Sequence, residues 1–168
     1  MEEDARKLPL PFSCFDLATC IHGIRCFESR DSVVRATKEM LRVTKERIFI
    51  AESSPMAKNK AQEAHLAMYN VRRPTFLALG QGELGDLRYF TPEELRNIIV
   101  EAGASKVDMK LVDVDMPHHL AYFPLDEIRK IGEKAVRDDL EGRWRKALKM
   151  LDEYGEKHPP VIVLNAWK

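Results

Sequence analysis

Asp4-Ala5-Arg6-Lys7-Leu8-Pro9-Leu10-Pro11-Phe12-Ser13-Cys14, continuing into Phe15-Asp16-Leu17-Ala18-Thr19-Cys20-Ile21-His22-Gly23, is the stretch on which the fold turns. Its first half is an acid-headed turn punctuated by two prolines. Its second half, Phe15 to Ile21, is a short apolar run in which only Asp16 and Thr19 are polar, and this predicts a strand buried on both faces of a parallel sheet. The run ends in His22 and Gly23. Polar groups and a flexible turn therefore stand at the carboxyl end of the strand, the end at which open α/β sheets bind their ligands.

Working outward, Asp31 or Ser32 can cap a helix whose apolar positions Val33, Val34, Thr37, Met40 and Leu41 form one stripe. Arg47 to Ala51 reads as a second buried strand closed by the turn residues Glu52-Ser53-Ser54-Pro55. Strand, helix, strand makes a parallel crossover, which is right-handed. Ala57, Ala61, Ala64, His65 and Met68 then support a modest helix, after which Arg72-Arg73-Pro74 and Gly80, Gly82 and Gly85 predict a run of turns. Residues 53–90 are expected to form a substrate-side cap, because long irregular insertions in compact domains usually serve binding.

Thr91-Pro92-Glu93-Glu94 is a capping box with proline at the first helical position, and Leu95, Ile98, Ile99 and Ala102 make the buried stripe before Gly103 stops the helix. Val107 to Met116 alternates as an edge strand whose phase slips at Leu111-Val112, as a β-bulge would produce. From Pro124 to about Tyr154 the pattern is helical in two pieces, with Leu140, Trp144, Ala147, Leu148 and Leu151 as the second core stripe. Val161 to Trp167 is a final interior strand.

The length of 168 residues suits one domain. Lys and Arg (27) balance Asp and Glu (27), so no bulk field draws the chain to nucleic acid or to an anionic membrane. Cys14, Cys20 and Cys26 are odd in number and six apart, which fits reduced thiols rather than a zinc site or a closed disulfide set. No apolar run approaches the roughly 18 residues of a membrane helix, and the acidic start is unlike a secretory signal. A soluble, cytoplasmic protein is expected.

The acidic-Ala pair Asp4-Ala5, the segment Leu8-Pro9-Leu10-Pro11-Phe12 and Phe15-Asp16-Leu17 resemble the middle of class I S-adenosylmethionine-dependent methyltransferases of the type 11 group. The order strand, helix, strand, cap, helix, edge strand, helix, final strand is similar to the second half of that fold, whose last strand lies antiparallel beside the edge strand. The resemblance implies an α/β, partial Rossmann-like sheet of about four strands with flanking helices. It makes 1–168 a single truncated domain. It also implies that Asp4 and Ala5 meet the adenine of S-adenosylmethionine and that Cys20, Ile21 and His22 lie beneath its methionine part. Gly23 to Phe27 would open the substrate side, with His22 as the candidate for catalysis and no metal.

Two departures matter. Arg25 and Cys26 stand where that family often has further histidines, and no Gly-x-Gly-x-x-Gly turn precedes the first strand. The expected function is transfer of a methyl group, or help in transferring it, to an unknown acceptor, with a homodimer or a separate chain carrying the N-terminal half to complete the cofactor site. The rival reading is a non-catalytic scaffold or regulatory subunit that binds a partner through an exposed strand edge.

Other candidates have plainer readings. His118-His119, followed by Tyr122, would point to opposite faces of a strand and so suit a polar turn better than a metal. His65 either touches substrate or packs. Lys58, Lys60, Arg72 and Arg73 either guide an anionic substrate such as RNA or a phosphorylated metabolite or, as such charges usually do, form a solvated face.

Overall fold

In a computed structural model, residues 3–81, 89–115 and 123–168 are described. They form two compact units. The first comprises residues 3–54, 89–112 and 161–168, and the second residues 55–81, 113–115 and 123–160.

The first unit holds one four-stranded sheet: β1 (Phe15–Ile21), β2 (Thr44–Ser53), β3 (Lys106–Val112) and β4 (Val161–Trp167). The spatial order is β1-β2-β4-β3. β1 and β2 run parallel, in register from Leu17 opposite Arg47 to Ile21 opposite Ala51. β4 is antiparallel to both neighbours. Helix α1 (Arg30–Val43) makes the crossover from β1 to β2. It is capped by Ser29, which accepts from the Ser32 amide, two or three residues earlier than a cap at Asp31 or Ser32.

The core of this unit lies between the sheet and its helices. Val33, Val34, Met40 and Leu41 of α1 pack with Ile48, Ile50, Ile162 and Leu164, all buried. Helix α3 (Pro92–Glu101) adds Leu95, Ile98 and Ile99. The expected capping box is present in full, since Thr91 accepts from the Glu94 amide while Glu94 accepts from the Thr91 amide.

Three expectations about strands change. β1 is not buried on both faces: Phe15, Leu17 and Ile21 are 46%, 42% and 62% exposed. The reason is that these residues stand at alternate positions and share one face of the strand, while the opposite face, with Ala18 and Cys20, is the one that packs against the core. The slip expected at Leu111-Val112 is absent, because β3 keeps unbroken register with β4 to its last residue, Val112, and the irregularity lies in β1 between Phe15 and Leu17. Finally, Glu52 and Ser53 are not turn residues but the last two residues of β2, and both are buried.

The proline-rich lead-in is strapped to α1. A proline has no amide hydrogen and leaves the preceding carbonyl in need of a donor from elsewhere. Here Arg42 donates to the carbonyls of Leu8 (3.0 Å) and Leu10 (2.7 Å), and Glu39 accepts from the Leu8 amide (2.9 Å).

The second unit contains α2 (Lys60–Ala78), the short α4 (Leu125–Arg129) and α5 (Lys134–Tyr154). Helix α2 runs straight through Arg72-Arg73-Pro74, where turns were expected. Burial of Val71 and Thr75 on the face that packs with α5 outweighs the lost hydrogen bond. The unit's own core joins Met68 and Val71 to Phe123, Ile128, Leu140 and Ala147. No helix among the described residues is long and apolar enough to cross a membrane. Gly82, Gly85, Met116, His118, His119 and Tyr122 lie outside the described residues.

Candidate functional site

The carboxyl ends of two parallel neighbours, β1 and β2, meet in the first unit. β1 delivers Cys20, Ile21 and His22; β2 delivers Ala51, Glu52 and Ser53. The sheet ladder extends one step past β1, because the His22 amide donates to the Ala51 carbonyl at 2.9 Å. His22 sits at φ 52°, a left-handed conformation that costs a residue with a Cβ about 1 kcal/mol. The chain then turns at Gly23, where an added Cβ would come within 2.7 Å of the Cys20 sulfur, and enters a 3-10 turn at Ile24–Cys26.

That turn closes over Glu52. The Ile24 amide donates to Glu52 Oε1 at 2.9 Å, while Glu52 Oε2 lies 4.0 Å from Arg25 Nε and 3.9 Å from His22 Nδ1. Glu52 is 1% exposed, and both its Oε2 and Arg25 Nε are buried without a hydrogen-bond partner. Burial pushes the Glu52 carboxyl up to about 7; the Arg25 charge and the backbone amides of the turn pull the other way but do not win. Burial, reinforced by Glu52, also raises the Cys20 thiol above its ordinary range, so Cys20 is held as a thiol. The strand ends therefore carry a carboxyl that changes charge near neutrality beside a half-buried imidazole, which is the equipment of proton transfer.

Asp4 and Ala5 lie in the N-terminal turn. The Asp4 carboxylate accepts from the Arg6 amide and guanidinium at 2.9 Å, and these bonds hold its carboxyl below the usual range. Arg6 in turn reaches Glu28, 2.6 Å away, just before α1. Glu28 follows the β1 turn, so the Asp4-Ala5 segment stands on the carboxyl side of β1, the same side as His22.

Glu52 was missed by sequence reading because Glu-Ser-Ser-Pro matches turn chemistry, and nothing in the local pattern marks an acid as buried. The available signal was its position, an acid immediately after the apolar run of an inner strand.

The second unit has its own polar cavity of about 480 Å³, lined by Lys58, Asn59, Gln62, Asp113, Asp115 and His158 among others. His65 is buried, with Nδ1 2.9 Å from Glu156 Oε1, and so packs. The cations of this region are engaged locally: Lys58 with Asp113, Lys60 with Glu63, and Arg72 over the Phe76 ring.

No family model and no curated protein matches the sequence. Solved structures do resemble it. A cyclopropane-fatty-acyl-phospholipid synthase-like protein from Lactobacillus casei is similar at TM-score 0.64 and 16% identity, covering 95% of this chain and 58% of that one. A SAM-dependent methyltransferase from Methanosarcina mazei gives 0.55 and 16%, covering 99% and 65%. The [4+2]-cyclase SpnF gives 0.51 and 20%, covering 99% and 54%. The chain thus spans between 54% and 65% of the length of these three structures. The chain has the α/β, Rossmann-like fold of class I S-adenosylmethionine-dependent methyltransferases.

Proposed function

We propose that the chain is a methyltransferase component that transfers, or helps to transfer, a methyl group from S-adenosylmethionine. The observation that carries this reading is the shared carboxyl end of β1 and β2, which presents an imidazole and a buried carboxyl where an open sheet of this fold binds its ligand. When bound, the cofactor supplies a methyl group on a positively charged sulfur.

The residues present suit part of that group. Asp4 has an exposed carboxylate that can accept from an exocyclic amine in exchange for one of its Arg6 contacts, and the Ala5 amide follows it. Ile21, 62% exposed at the strand end, offers an apolar floor beside His22. In this reading the chain binds the adenine end through Asp4 and Ala5 and the methionine end against Cys20, Ile21 and His22. Donors for the remaining polar groups come from a strand and turn that another segment places parallel along the open edge of β1.

Methyl transfer demands mainly in-line placement and exclusion of water. A partner that pairs along the edge of β1 and packs an element on the face carrying Leu17 and Ile21, both now exposed, would provide both. The same exposed edge favours a second reading, a non-catalytic scaffold that binds its partner by strand pairing.

Titration calorimetry with S-adenosylhomocysteine on the purified protein separates the two. Heat of binding that Asp4→Ala weakens at least tenfold supports the cofactor site. Absence of heat at millimolar ligand overturns it and leaves the scaffold.

A further inference from the structure

We propose that His22 and Glu52 form a working pair in which His22 is the catalytic base for an acceptor whose nucleophilic atom carries a proton, and Glu52 is the positioning residue behind it. The inference rests on the methyltransferase reading of the site for its substrate and on the geometry alone for the pair.

Two observations on the molecule meet here. Of the buried side-chain polar atoms without a hydrogen bond among the described residues, Glu52 Oε2 and Arg25 Nε belong to one cluster. An orphaned buried acceptor costs roughly 1 to 3 kcal/mol, and such groups call for an explanation. The second observation is the left-handed backbone of His22, a strained conformation placed at a strand's ligand-binding end. The strain turns the imidazole so that Nδ1 stands 3.5 Å from Ser53 Oγ and 3.9 Å from Glu52 Oε2. The side chain of His22 remains 27% exposed, whereas that of Glu52 is 1% exposed. Only the imidazole can touch an acceptor. The carboxyl works through it.

In the step assigned to the pair, the lone pair of His22 Nε2 forms a bond to the acceptor's proton, and the electrons of the broken bond stay on the acceptor atom. The imidazolium so formed faces Glu52 Oε2, whose negative charge offsets it at a distance where low dielectric makes the attraction strong. The charged and titratable groups around Glu52 are His22, Arg25 and Cys20; Arg25 favours the ionised carboxylate and Cys20 stays neutral. The pair is therefore competent once Glu52 has lost its proton, near and above pH 7.

Carbethoxylation by diethyl pyrocarbonate reads this directly, since the reagent attacks the neutral imidazole and needs neither cofactor nor acceptor. The rate at His22 is followed by mass spectrometry from pH 5.5 to 8.5. The wild-type chain is expected to react at least threefold faster at pH 8 than Glu52→Gln, with Glu52→Asp recovering part of the difference. Glu52→Gln keeps an acceptor for the Ile24 amide, so the turn stays closed, and circular dichroism confirms the fold. Equal rates and equal pH profiles for wild type and Glu52→Gln overturn the pair. Loss of cofactor heat with labelling intact overturns the methyltransferase reading instead, so the two failures are distinct.

Discussion

At Glu52 the cost of the site is visible in a single side chain. Its carboxyl titrates near 7 in the folded chain against 4.5 when exposed. An acid with a raised folded value binds its proton more tightly when folded. Its neutral form is therefore the stable one, and stability falls as pH climbs from the unfolded value to the folded value. The fall is roughly 3 kcal/mol over that window, at about 1.4 kcal/mol per unit. Urea denaturation of the wild type from pH 4.5 to 7.5 should show a decline of this order that Glu52→Gln lacks. Parallel curves for the two proteins would mean that Glu52 does not carry the burial penalty. The same residue shows the limit of reading the sequence. Cys20, Ile21 and His22 were legible as a strand end because apolar residues stop there. Glu52 was not, because burial of an acid depends on the Ile24 amide arriving from another segment.

Among the elements, those with a strong local signature are found where the sequence places them. The box around Thr91 satisfies the first amides of α3 with its own side chains, so no tertiary contact is needed to read it. Helix α2 was misread after Met68 because Pro74 is a strong local breaker, while the forces that carry the helix past it come from α5. The helix must bear the missing hydrogen bond, although Thr75 Oγ1 does donate to the Val71 carbonyl at 2.8 Å. Pro74→Ala restores an amide donor at the fifteenth position of a 19-residue helix. It is expected to raise the stability of the second unit by up to about 3 kcal/mol, seen as a higher melting temperature. A lower one would show that the ring of Pro74 contributes packing worth more than the bond. The β-bulge expected in β3 failed for the opposite reason. Leu111 and Val112 are both partly buried, and their pairing with Ile162 and Val161 accommodates two adjacent apolar residues without a slip.

For the molecule as a whole the unresolved force is the open edge of β1. A parallel strand of seven residues with Phe15, Leu17 and Ile21 exposed is a template for pairing. Two kinds of partner satisfy it differently. Two copies related by a two-fold axis bring β1 against β1 antiparallel, which closes the edge but adds no new turn beside His22. A different segment can pair parallel, as β2 does on the other side, and so bring its own carboxyl-end turn to the site. Sedimentation velocity should therefore show a species larger than one 19.3 kDa chain at tens of micromolar, and Leu17→Lys, which sets a charge on the edge strand, should return it to a monomer. The proposed cofactor site adds a second condition. If pairing is antiparallel between copies, the dimer closes without gaining affinity for S-adenosylhomocysteine. If a parallel strand is supplied by another chain, affinity should appear only in the mixed complex and vanish with Leu17→Lys. A wild-type chain that sediments as a compact monomer at several hundred micromolar would sink pairing between copies and leave the parallel strand of a different chain, tested in the mixed complex, as the occupant of the β1 edge.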